Sequence, residues 1–70
     1  MPFINVKQLS GRSDEQNAEI ARALTETYAR ITGVDPQNIW VAVEEVPATH
    51  WTAGGETFAA RRAKAAAEGS

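Results

Sequence analysis

The sequence predicts a small α/β (α+β) fold, a β–α–β unit with parallel strands whose sheet is extended across subunits of an oligomer. Three observations carry that expectation. Two short β-branched stretches, FINVKQL at 3–9 and IWVAVEEV at 39–46, flank one long helical pattern. Strands joined across a helix of this length are expected to run parallel, with a right-handed crossover. A chain of 70 residues also buries only about 60% of its unfolded surface, and two strands alone make a marginal sheet. With no cysteine there is no disulfide framework and no thiolate metal site. A single histidine, His50, argues against a histidine-based metal cluster. Oligomerisation is the remedy left for so small a core.

The first strand alternates through Phe3, Ile4, Asn5 and Val6, and Ser10-Gly11-Arg12 turns the chain. Ser13 then caps a helix, with Gln16 three residues on in capping-box position. Asp14 and Glu15 place negative charge in the first turn, where the helix dipole favours it. Ile20, Leu24, Tyr28 and Ile31 form one apolar stripe, flanked by Ala21 and Ala23. Gly33 is placed to end the helix. Asp35 and Pro36 give a cap and a tight turn before the second strand, on which Ile39, Val41 and Val43 share a face. Pro47 stops that strand. Residues 48–56, ATHWTAGGE, form a loop or small hairpin with Gly54-Gly55 at its turn. Residues 57–68 are alanine-rich and fit a helical turn or a tail, with Phe58 their one strong anchor. One domain spans 1–70, with 63–70 as its tail.

Seven Lys+Arg against nine Asp+Glu give a net charge of −2, without the basic stripe of a nucleic-acid binder. No apolar run approaches a membrane span and no signal-peptide core follows Met1. A soluble cytosolic protein is what these exclusions leave.

Proline at position 2 stands directly ahead of the first strand. Strands tolerate proline at their first residue, where no ladder N–H is needed. An initiator Met is also commonly removed ahead of a small residue, which would make Pro2 the first residue and its ring nitrogen a free secondary amine. Arg12 lies just before a helix start, where an anion is favoured. Its guanidinium suits bidentate capture of a carboxylate. It equally suits an ion pair with Asp14, Glu15 or an acid of a neighbouring subunit.

Together, Pro2 ahead of a strand, GRSDEQ at 11–16, the β–α–β length and HWTAGGE at 50–56 resemble the 4-oxalocrotonate tautomerase family. The likeness runs through nearly the whole chain to Arg62. It implies a homohexamer built as a trimer of dimers, acting without a metal or organic cofactor on a small-molecule carboxylate substrate. It further implies a catalytic base in Pro2, a carboxylate-binding Arg12, an aromatic site wall in Trp51 and a C-terminal arginine in Arg62. One departure stands out. Trp40 occupies the place of a second active-site arginine, which puts a dicarboxylate substrate in question.

Keto–enol chemistry needs a base whose pKa lies near the working pH. A solvated proline amine is too basic, but desolvation and neighbouring cations both disfavour its ammonium form. Trp51 offers the first effect and Arg12 or Arg62 the second. Other readings stay open. The same proline, protonated, serves as general acid in a hydratase, dehalogenase or decarboxylase, with Glu44 or Glu45 to activate water. If Met1 is retained, the proline nitrogen is an amide and the chain becomes a non-catalytic subunit. Trp40 fits a subunit contact as well as a pocket, Trp51 fits an interface, His50 a loop hydrogen bond, and Arg61, Arg62 and Lys64 a solvated basic cluster.

Overall fold

Strands β1 (Phe3–Leu9) and β2 (Trp40–Val46) pair in parallel, with Phe3 opposite Trp40 and Leu9 opposite Val46. This is the arrangement in a computed structural model that describes residues 1–69. Helix α1 (Asp14–Thr32) connects the two strands. A 3-10 turn at Pro36–Asn38 leads into β2, and a second at Ala48–His50 leads out of it. The short strands β3 (Thr52–Ala53) and β4 (Glu56–Thr57) form an antiparallel hairpin, and α2 (Phe58–Glu68) follows.

The local signals act as their chemistry dictates. Ser13 accepts from the Gln16 backbone N–H at 3.1 Å, while the Gln16 side chain accepts from the Ser13 N–H at 3.0 Å. Both donors would otherwise be orphaned at the helix start. Gly33 adopts φ 77°, the left-handed conformation glycine reaches without steric cost, and its N–H closes onto the Ala29 carbonyl. Asp35 accepts from the Gln37 N–H at 2.9 Å, with Pro36 opening the turn. Gly54 and Gly55 both take positive φ, 60° and 83°, as a two-residue hairpin turn between right-twisted strands requires.

Pairing in register assigns the two faces of the sheet. Ile4, Val6 and Gln8 lie opposite Val41, Val43 and Glu45, and this face meets α1. Asn17 of α1 fastens it, accepting from Gln8 Nε2 at 2.8 Å and donating to Glu45 Oε1 at 2.5 Å. The start of α1 therefore lies over the C-terminal ends of both strands. Phe3, Asn5, Lys7 and Leu9 lie opposite Trp40, Ala42, Glu44 and Val46 on the other, more open face, where Phe3, Lys7, Trp40 and Glu44 are exposed and Leu9 and Val46 are half-buried.

Ile31 departs from the expected stripe: Ile20, Leu24 and Tyr28 are half-buried, but Ile31 is 69% exposed. The 19 residues of α1 extend about 28 Å, whereas a seven-residue strand covers about 23 Å. The last helical turn overhangs the sheet. Of residues 57–68, a helical turn or tail by sequence, Phe58–Glu68 make a helix of 11 residues. Thr57 caps it by accepting from the Ala60 N–H.

Burial within the chain is slight. Ile39 is the only hydrophobic residue that is buried among those described, while Met1, Phe3 and Trp40 are exposed. The radius of gyration is 16.4 Å, against about 11 Å for a compact domain of this length. No helix among the described residues is long and apolar enough to cross a membrane.

Candidate active site

The residues that bear chemistry gather at the two ends of the β1–β2 sheet. At the N-terminal end, Pro2 is half-buried and its carbonyl accepts from the Trp40 N–H at 3.1 Å. The backbone ladder thus sets Pro2 beside Trp40. Met1 is 80% exposed. While Met1 is attached, the Pro2 nitrogen is a tertiary amide with no basicity. Its removal leaves a secondary amine at the head of a strand.

Arg12 and Trp51 occupy the C-terminal end. Arg12 follows β1 and lines a cavity of about 390 Å³ with Ser13, Glu15, Gln16, Glu19 and Ile20. It makes no ion pair or hydrogen bond among the described residues. The pairing with Asp14 or Glu15 that its position allowed is absent, and the guanidinium is exposed. Trp51 follows β2 and lines a second cavity, about 450 Å³, with Lys7, Val46, His50 and Thr52. Its carbonyl accepts from the Phe58 N–H at 2.8 Å, which fixes the Trp51 backbone against the start of α2.

Strand length then decides what a single chain can assemble. Seven residues of β1 separate Pro2 from the loop bearing Arg12 by about 23 Å. Trp40 and Trp51 are likewise divided by the length of β2. One chain brings Pro2 together with Trp40, and sets Arg12 and Trp51 at the far end. It does not bring the two groups together.

The C-terminal arginines differ sharply. Arg61 donates to Glu56 at 3.1 Å and to the Ala53 carbonyl at 3.1 Å, and lies over the Phe58 ring at 5.2 Å. Lys64 reaches the same Glu56 at 3.5 Å. Arg61 therefore ties the hairpin to α2, while Arg62 is exposed and has no partner among the described residues. On α1, Arg22 bonds Glu19 and Glu26, and hydrogen bonding to Glu19 and then Glu26 raises its pKa further. Glu19 of that group also lines the Arg12 cavity, whereas Arg22 and Glu26 lie outside it.

Glu44 and Glu45 face opposite sides of the sheet. Glu44 meets Lys7 at 3.6 Å and Asn5 at 3.4 Å on the open face, and Glu45 is held by Asn17 on the helix face. Lys7 has no sequence signal beyond alternation, which places it across the strand from Ile4 and Val6. Only the fold shows that it shares a cavity with Trp51.

The parallel β–α–β unit, the proline at the head of its first strand and the arginine beyond that strand's end are the features in which the chain resembles a tautomerase. The Tautomerase enzyme family matches residues 2–61, and the chain belongs to that family. A probable tautomerase of Bradyrhizobium diazoefficiens is 38% identical over 65 residues, covering 93% of this chain and 97% of that protein. Among solved structures, TomN, a 4-oxalocrotonate tautomerase homologue in the tomaymycin biosynthetic pathway, superposes with a TM-score of 0.85 at 39% identity. That match covers 89% of this chain and 95% of TomN. A heterohexameric 4-oxalocrotonate tautomerase from Chloroflexus aurantiacus gives a TM-score of 0.79 at 42% identity, covering 84% and 95%. Arg62 lies one residue past the matched segment.

Proposed function

We propose that this chain is a tautomerase that converts the enol form of a small 2-hydroxy-dienoate, or a related 2-oxo acid, to its keto form. The observation that carries the proposal is Pro2 at the head of β1 behind a highly exposed Met1, in a chain of the Tautomerase family. Once Met1 is removed, the lone pair of Pro2 accepts the proton of the 2-hydroxyl. The O–H electron pair becomes the C=O bond, the double bond shifts along the chain, and the proton is returned to carbon. Atoms balance without any co-reactant.

Arg12 receives the substrate carboxylate, for which it has no competing partner among the described residues. Trp51 supplies an apolar wall and Arg62 a further cation. Both the wall and the cations disfavour the ammonium form of Pro2 and lower its pKa toward the working range. Because Pro2 and Arg12 lie at opposite ends of a strand, the working site joins Pro2 of one copy to Arg12 and Trp51 of another. A hexamer built as a trimer of dimers, the assembly the family resemblance implies, is the proposed form. The slight burial within one chain supports it.

Hydration or dehalogenation through a protonated Pro2 requires a free carboxylate to activate water. Glu45 is held by Asn17, which leaves Glu44, weakly paired with the exposed Lys7, as the carboxylate that reading would use. The test is ketonisation of 2-hydroxymuconate or of enol phenylpyruvate by protein whose intact mass lacks Met1, compared with Pro2→Ala. Activity equal in the two proteins would remove Pro2 from the mechanism.

A further inference from the structure

Trp40 leaves the second strand without a cation for the far end of a substrate, and the open face of the sheet carries one elsewhere. Lys7 lies on that face and lines the Trp51 cavity, which also takes in Val46, His50 and Thr52. The cavity, about 450 Å³, falls within the range that holds small organic ligands. It offers one ammonium group, a large aromatic wall, an imidazole and a hydroxyl. An unsaturated acid of a few carbons fits that chemistry: apolar in its body and anionic at its end.

Among the described residues Lys7 has one ionic partner, Glu44 directly across the strand pair, at 3.6 Å. Both side chains are largely exposed, and exposed pairs of this geometry hold each other weakly. The ammonium is flexible on its four-carbon stem and acts as a compact point charge. A ligand carboxylate entering beside Trp51 competes with Glu44 for it. Trp40 lies about six residues up β2 from Val46, roughly 20 Å away along the strand, so within the chain it does not reach this cavity.

We infer that Lys7 binds a second anionic group of the substrate beside Trp51, and that Glu44 opposes this binding by holding Lys7 and adding like charge. The inference rests on the tautomerase reading in treating Trp51 as a wall of the substrate site and Arg12 as the holder of its first carboxylate. It makes Lys7 and Glu44 determinants of whether a diacid or a monoacid is preferred.

Fumarate and crotonate are suitable probes, because they differ only in one carboxylate replaced by methyl. Calorimetric titration of the full chain needs no turnover, so protein that retains Met1 and is inactive still reports on Lys7. Failure of the proline chemistry is thereby read separately. Lys7→Gln is expected to weaken fumarate binding about tenfold, the loss of one charge-assisted hydrogen bond, and leave crotonate within about twofold. Lys7→Arg should recover most of the fumarate affinity. Glu44→Gln should change it in the opposite direction and tighten fumarate several-fold, which a merely structural ion pair would not do. Equal weakening of both acids, no change in either, or fumarate loosened by Glu44→Gln would each overturn the inference. Wild-type protein that binds neither acid would overturn it too, together with the assignment of Arg12.

Discussion

The two ends of the β1–β2 sheet are built alike and loaded differently. The N-terminal end carries Pro2 and the exposed apolar side chains of Phe3 and Trp40. The C-terminal end carries Arg12, Lys7, His50 and Trp51 around two open cavities. One end holds a nitrogen suited to proton transfer and no cation to hold an acid. The other holds Arg12 and Lys7, with the His50 imidazole beside Trp51. Neither end is a site by itself. The division is what the proposed shared site answers: strand length, rather than any interface, calls for Pro2 of one copy to meet Arg12 and Trp51 of another.

The largest effect should follow from spoiling the proline end. Protein that keeps Met1, or carries an N-terminal tag, is expected to lose about 10²- to 10⁴-fold in kcat, the usual contribution of general acid–base catalysis. Sedimentation should be unchanged, because only a lone pair is lost. Activity of the mature protein should rise with pH through an ionisation near neutrality. Pro2→Ala should keep a primary amine and part of the rate, with a displaced profile. Full activity in protein whose intact mass includes Met1 would end the contrast between the two ends.

Next in size is the cationic end. Arg12→Ala should lower kcat/KM on a carboxylate substrate by the worth of a charge-assisted hydrogen bond, about 1.5–3 kcal/mol, or roughly ten- to 150-fold. An uncharged enol should be nearly unaffected. Equal losses on both substrates would make Arg12 a support for the fold, and the unpaired guanidinium would need another explanation.

Much of this division was legible in the sequence. Alternation placed Ile39, Val41 and Val43 on one face, and the capping box, Gly33 and the Gly54-Gly55 turn fixed where elements begin and end. Each of those signals acts within a few residues. Ile31 illustrates the limit, since periodicity reports angle around a helix but not whether a sheet lies beneath that turn. The extent of α2 was hidden because alanine-rich sequence favours helix yet offers no burial to confirm it. The pairing of Lys7 with the Trp51 cavity spans most of the chain, and only the folded register brings it about.

A smaller effect tests whether cations can be moved between the ends. Trp40→Arg adds a guanidinium to the N-terminal end of the sheet, and is expected to improve diacid turnover several-fold over monoacid turnover. Improvement of both classes, or of neither, would mean that position 40 meets a neighbouring subunit instead of the substrate.

The smallest expected effect concerns how firmly the cationic end is held. Ser13 follows Arg12 directly, and the reciprocal bonds of its capping box fix the first turn of α1. Asn17 clamps the same turn to Gln8 and Glu45. Ser13→Ala should cost about 0.5–2 kcal/mol of stability, read as a lower midpoint in urea at an unchanged slope. Because Asn17 still holds the helix start, the Arg12 loop should loosen without departing. KM for the carboxylate substrate is then expected to rise only a few-fold, with kcat on an uncharged enol unchanged. A Ser13→Ala protein as deficient on carboxylates as Arg12→Ala would show that the cap, more than the Asn17 clamp, aims the guanidinium. A protein with unchanged KM would show that the arginine finds its ligand from a mobile loop.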